Sequence, residues 1–295
     1  MFRGTFTAVV TPFRDGGVDD SAFKKLIETQ LAAGITGIVA IGTTGESPTL
    51  SHDEREHVIR LAVTTANKRC LVLAGTGSNA TQHAVADTIM AEKLGVDGAL
   101  LVAPYYNKPS QEGLFRHFKA IADATSLPIM LYNIPGRCSV DIVPETVVRL
   151  AKECGNIVAI KEASGSVERV SDLRRRLPES FTILSGDDSL TLPFMAVGAA
   201  GVVSVASNLF PGEVCALVRA CESGDLKSAA KLHRKLLPLF KDLFIEPNPV
   251  PVKTALGWRG AMSGEVRLPL CEMSEANQDR LRKTLEEFER KKNDF

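Results

Sequence analysis

Short apolar runs rich in β-branched residues alternate along most of this chain with longer segments of helical period. The runs cover residues 5–10, 37–41, 70–74, 98–102, 129–132, 157–161, 182–185 and 201–205. They are nearly continuous in apolar residues rather than alternating, the pattern of parallel strands buried on both faces. Between them Phe23, Leu26, Ile27 and Leu31, and again Leu114, Phe115, Phe118, Ile121 and Ala122, recur at the spacing of one helix face. Ser51-His52-Asp53-Glu54 reads as a capping box opening a helix, Asn79-Ala80-Thr81-Gln82 resembles another, and Pro144 suits a first helical turn.

Eight strand–helix units without a linker or charge run predict a (β/α)8 TIM barrel, an α/β fold, over residues 1–224. A doubly wound open sheet is the alternative, but the first turn, Thr11-Pro12-Phe13-Arg14-Asp15-Gly16-Gly17, lacks its glycine fingerprint. From 225 to 295 the pattern is helical only: a helix over 226–244 interrupted at Pro238, a stiff Pro247-Asn248-Pro249-Val250-Pro251 link, then helices over 252–258 and 277–292. This region reads as an appendage to the barrel. Residues 189–212 carry no charge, yet Pro193, Gly198, Gly201 and Pro211 divide them, which predicts a buried helix–turn–strand rather than a membrane span.

Composition narrows the functional classes. Thirty-five basic residues balance thirty-five acidic ones, so no net field favours nucleic acid or an anionic membrane. The six cysteines form no C-x-x-C pair, and Met1–Thr5 lacks the apolar core of an export signal, so reduced thiols and a cytoplasmic location are expected.

In such a barrel the chemistry gathers at the carboxyl ends of the strands. Lys161 ends the run Ile157-Val158-Ala159-Ile160, where alternation points its amine into the barrel mouth. An amine desolvated there loses its proton more readily and becomes a nucleophile at neutral pH; a scaffolding lysine paired with a carboxylate is the competing reading. Tyr132 closes the neighbouring strand, where a phenol can relay protons. The turn Gly42-Thr43-Thr44-Gly45-Glu46 offers hydroxyls and backbone N–H groups to a small carboxylate. His52–His57 lacks metalloprotease spacing and reads as a solvated first turn, and Asp187-Asp188 as a polar turn rather than a metal site. Loops seven and eight carry two aspartates and no Lys or Arg, which disfavours a phosphorylated partner for Lys161.

Gly42–Ser47, Pro104-Tyr105-Tyr106-Asn107-Lys108-Pro109, Tyr132-Asn133-Ile134-Pro135-Gly136-Arg137 and Ile160-Lys161-Glu162-Ala163 together resemble, in order and spacing, the 4-hydroxy-tetrahydrodipicolinate (dihydrodipicolinate) synthases, lyases among the pyruvate-dependent Schiff-base enzymes. The resemblance implies that Lys161 forms an imine with pyruvate. It implies a proton relay of Tyr132, Thr43 and Tyr106, the last from a neighbouring subunit of a homo-oligomer, a tetramer built as a dimer of dimers. Thr44 would hold the pyruvate carboxylate and Arg137 that of L-aspartate 4-semialdehyde, with Gly186 and Val203 lining the site through their carbonyls; no metal or organic cofactor is implied. Ser47, His52, Asn79 and Tyr105 match a candidate lysine-effector site. Arg55 and His83 depart from the inhibited pattern, so weak or absent inhibition is expected. Cys138 stands where the synthases usually carry threonine. The alternatives within the superfamily are N-acetylneuraminate lyase and the 2-keto-3-deoxy sugar acid aldolases, from which Arg137 and Thr44 discriminate; a non-catalytic keto-acid-binding barrel is the alternative outside it.

Overall fold

The computed structural model describes residues 2–290. Ten strands appear, β1 (Gly4–Ala8), β2 (Phe13–Arg14), β3 (Gly17–Val18), β4 (Gly37–Ala40), β5 (Leu71–Gly75), β6 (Gly98–Val102), β7 (Ile129–Asn133), β8 (Ile157–Glu162), β9 (Thr182–Ser185) and β10 (Gly201–Ser204). Eight of them, all but β2 and β3, close a parallel barrel in the order β1-β10-β9-β8-β7-β6-β5-β4. Each of the eight predicted runs supplies one strand. The small β2–β3 hairpin escaped the pattern, because two-residue strands leave no periodicity to read.

The helices are α1 (Asp20–Ala32), α2 (His52–Ala66), α3 (Thr81–Lys93), α4 (Gln111–Ala122), α5 (Pro135–Cys138), α6 (Pro144–Glu153), α7 (Val167–Arg176), α8 (Thr191–Ala196), α9 (Pro211–Glu222), α10 (Leu226–Asp242), α11 (Val250–Trp258) and α12 (Glu275–Arg290). Ser51 and Glu54 form the expected reciprocal capping box on α2, and Pro144 occupies the first turn of α6. The second expected box is absent: Ala80, which has no side-chain oxygen, caps α3. Pro238 does not interrupt α10, which runs through it. Burial of Leu236, Leu239 and Phe240 outweighs the one backbone hydrogen bond the proline removes. The last helix starts two residues earlier than expected, and its expected end at Lys292 lies outside the described residues. The uncharged stretch folds as α8, β10 and the start of α9, and among the described residues no helix is long and apolar enough to cross a membrane.

Alternate residues of each strand fill the barrel. Phe2 and Phe6 meet edge to face at 6.1 Å near the amino ends, and their bulk requires a facing glycine: a Cβ on Gly37 would stand 2.5 Å from the Phe6 ring. Above them pack Val39, Leu73, Leu100, Met130, Ala159, Leu184 and Val203. Two residues beyond Met130 and Ala159, on the same inward face, come Tyr132 and Lys161, which are register partners across β7 and β8. The helices between strands, with the face of α9 that packs on β1, form the outer layer. After α9, α10 packs on α9 and α12, and α11 packs on α12.

Candidate active site

Lys161 is 5 % exposed and Tyr132 4 %, at the carboxyl end of an otherwise apolar barrel interior. The Lys161 Nζ stands 4.0 Å from the centre of the Tyr132 ring. Burial pushes the amine down to about 7; the Asp188 carboxylate opposes that shift and the Arg137 guanidinium adds to it. A large fraction of Lys161 is therefore a neutral amine near neutral pH, able to act as a nucleophile. Burial also raises the Tyr132 phenol to about 12, against smaller lowering influences from Arg137 and from a hydrogen bond with Thr43. Tyr132 thus stays protonated and can donate a proton and take it back without resting as an anion.

Gly186 explains how the lysine fits. A Cβ there would lie 2.8 Å from the Cβ of Ala163 and 3.1 Å from both Cγ and Cε of Lys161. Only glycine lets the strand end pass beside the lysine's stem. Val203, buried on β10, lines the same interior.

Thr44 is buried, and its Oγ1 accepts a hydrogen bond of 3.0 Å from Nδ2 of Asn248. Arg137, on the short helix α5, donates from Nη2 to the Asn248 carbonyl at 3.3 Å. Among the described residues no carboxylate lies within salt-bridge distance of Arg137, so its cation stays available to an incoming anion. Cys138 is buried, and burial holds its thiol up at about 11, against a smaller opposing influence of Arg137. At this position it is a small neutral packing group.

A cavity of about 210 Å³ opens beside this mouth, its lining including Thr43, Arg137 and Cys138 together with Ser47, Arg55 and Tyr105. Ser47 and Tyr105, two of the candidate effector residues, therefore share a cleft with the site. His52 and Asn79 do not line it: the His52 ring is mostly exposed, 4.0 Å from Asp87, and the Asn79 carbonyl accepts from Asn107 Nδ2. Arg55 pairs with Asp87 at 3.2 Å, and His83 is exposed. Tyr106 is not gathered into its own chain's site. It is 89 % exposed, on a backbone held at φ +72°, a conformation uncommon for a bulky residue.

One expectation about acidic residues needs correction. Asp188 is more than part of a polar turn: it is a buried carboxylate, accepting hydrogen bonds from the Ser204 hydroxyl and from the backbone N–H groups of Val205 and Ala206. Burial raises it to about 6 against those bonds. It fastens loop seven to loop eight, and its charge opposes the lowering of the Lys161 amine. The His52–His57 turn is solvated as expected, with none of its residues buried, but Glu54 within it grips Arg267 with both oxygens, at 2.5 and 2.8 Å, which lowers it to about 2. The sequence marks Asn248 only as part of a stiff link. Its flanking prolines, which fix the chain's course there, were the one available signal.

Residues 1–288 match the family model described as the dihydrodipicolinate synthetase family. The chain is 53 % identical over 288 residues to the 4-hydroxy-tetrahydrodipicolinate synthase of Endomicrobium trichonymphae, covering 98 % of this chain and 99 % of that one. The solved structure of the synthase from Methylacidiphilum fumariolicum SolV superposes with a TM-score of 0.98 at 57 % identity, covering 99 % of this chain and 97 % of that one. The dihydrodipicolinate synthase of Aquifex aeolicus gives a TM-score of 0.97 at 51 % identity, with 98 % of each chain covered.

Proposed function

The chain belongs to the dihydrodipicolinate synthetase family, and from that premise we propose the chemistry its barrel mouth performs: condensation of pyruvate with L-aspartate 4-semialdehyde to 4-hydroxy-tetrahydrodipicolinate, with Lys161 as the Schiff-base lysine. The observation that carries the role of Lys161 is its buried amine, lowered to about 7 beside a protonated phenol.

The neutral amine adds to C2 of pyruvate, and loss of water from the carbinolamine gives the imine. Thr44, with its lone pair engaged by Asn248, points its hydroxyl hydrogen toward the pyruvate carboxylate. Tyr132 gives its proton to the departing carbinolamine hydroxyl, which leaves as water. The protonated imine is an electron sink, so the C3 proton passes to the phenolate, Tyr132 is restored and an enamine forms. Its C3 attacks the aldehyde carbon held by the Arg137–carboxylate pair, and the new alkoxide takes a proton from Tyr132, relayed with Thr43. The substrate's amine then adds to C2 and expels the Lys161 amine, which closes the six-membered ring. One water is lost overall, and the enzyme returns to its starting state. Gly186 and Val203 shape the wall on which this occurs.

Tyr106 completes the relay in a neighbouring copy's site. Its exposed ring and strained backbone support that reading, because a bulky aromatic held out into solvent serves nothing within its own chain. The molecule is accordingly a homo-oligomer, a tetramer assembled as a dimer of dimers. The catalytic barrel ends at residue 224 and the helical appendage begins at 225. The six free cysteines fit a cytoplasmic setting.

Pyruvate consumption by the purified protein with L-aspartate 4-semialdehyde, against a Lys161→Ala control, tests the reading. Rapid consumption abolished by the substitution supports it. Consumption of a 2-keto-3-deoxy sugar acid instead of the semialdehyde overturns it in favour of the sugar-acid aldolases.

A further inference from the structure

Asn248 lies outside the barrel strands and their loops, on the link between α10 and α11, yet it touches both groups assigned above to hold a substrate carboxylate. Its Nδ2 donates to Thr44 Oγ1 at 3.0 Å, and its backbone carbonyl accepts from Arg137 Nη2 at 3.3 Å. The side chain is 6 % exposed, and among the described residues Oδ1 has no hydrogen-bond partner. An apolar residue of similar volume at a position that only packs would leave no such unpaired acceptor, so a buried polar group with one atom unused signals something beyond packing.

Five residues further on, Lys253 holds the same loop from its other end. Its Nζ donates to Glu46 Oε1 at 2.6 Å and to the Thr11 carbonyl at 2.9 Å. The loop that carries Thr43 and Thr44 is therefore pinned at Glu46 by an ion pair and at Thr44 by an amide.

We propose that Asn248 is a positioning residue which fixes the direction of the Thr44 hydroxyl and ties it to Arg137, so that the seats of the two substrate carboxylates form one frame. A hydroxyl has one hydrogen and two lone pairs. Because the Asn248 amide donates, Thr44 accepts there, and its hydrogen is left for an acceptor in the mouth. Aspartate at 248 has nearly the same shape but reverses this polarity: its carboxylate accepts from Thr44, turns the hydrogen away from pyruvate, and sets a negative charge beside Arg137.

This inference rests on the proposed pyruvate imine at Lys161, and the test separates the two. Borohydride trapping of [14C]pyruvate, read as half-saturation without the aldehyde, is compared for the wild type, Asn248→Asp, Thr44→Val, and Asn248→Ala with and without Thr44→Val. Asn248→Asp raises half-saturation about tenfold or more, and Asn248→Ala raises it in the wild-type background but less than twofold in the Thr44→Val background. Should Asn248→Asp not fold, the Asn248→Ala cycle alone decides. Unchanged half-saturation in folded variants, or equal effects of Asn248→Ala in both backgrounds, overturns the positioning role while the imine stands. A wild type that traps no pyruvate overturns the imine itself, and this inference with it.

Discussion

An amine that must be neutral to attack a carbonyl carries a thermodynamic cost when it is buried, and Lys161 is where that cost falls. In the unfolded chain it titrates near 10.5 and in the barrel at about 7. Between those values the unfolded state binds more protons, so the lysine's contribution to stability becomes less unfavourable as pH rises through the window and is worst below 7. Lys161→Met therefore stabilises the fold by on the order of a few kcal/mol near pH 7, and the gain shrinks toward pH 10. Urea midpoints of both proteins at pH 7 and pH 10 check this. A destabilised variant at pH 7 means that the amine is not held in a desolvating site.

At the scale of elements, the C-terminal region reaches back to hold the loop that carries Thr43 and Thr44. Lys253 on α11 and Glu46 are both fully buried at 2.6 Å, and the backbone N–H of Arg267 donates to the other Glu46 oxygen at 3.1 Å. Removing one partner leaves an uncompensated buried charge, so Lys253→Met costs about 3–5 kcal/mol in urea unfolding, and adding Glu46→Gln restores part of it. A single substitution that costs under about 1 kcal/mol would show the pair to be dispensable. These contacts also mark what the sequence left unread. The barrel strands were legible because both faces are buried and the apolar runs are unbroken. Lys161 and Tyr132 were legible because each breaks such a run at its carboxyl end. Glu46 and Asn248 were not, since their partners lie 207 and 204 residues away and no local period encodes a contact of that range. Asp188 sat in plain view, but its acceptors are satisfied by backbone N–H groups of loop eight, which only the folded barrel brings near.

At the scale of the whole molecule, a relay shared between copies makes a prediction that no single chain can fulfil. Tyr106→Phe and Lys161→Ala each lower turnover steeply alone. Subunits of the two, dissociated and mixed, regain activity, because hybrid pairs contain one site with an intact lysine and an intact borrowed tyrosine. No recovery in verified hybrids contradicts the shared relay. The neighbouring cleft predicts the response to lysine. Arg55 brings a cation to it and already engages Asp87 at 3.2 Å, and no carboxylate is among the residues that line it. A lysine ammonium finds repulsion where it needs an anion, so inhibition in the synthase assay stays weak or absent; half-inhibition well below millimolar lysine contradicts this. The proposed chemistry hangs on one bond between Lys161 and the C2 of pyruvate. Borohydride reduction in the presence of pyruvate, followed by peptide mass mapping from pH 5 to pH 9, tests it most directly. The account predicts a single pyruvate adduct on the Lys161 peptide, with yield rising through about pH 7 as the amine loses its proton. An adduct on another lysine, or none at any pH, would contradict it.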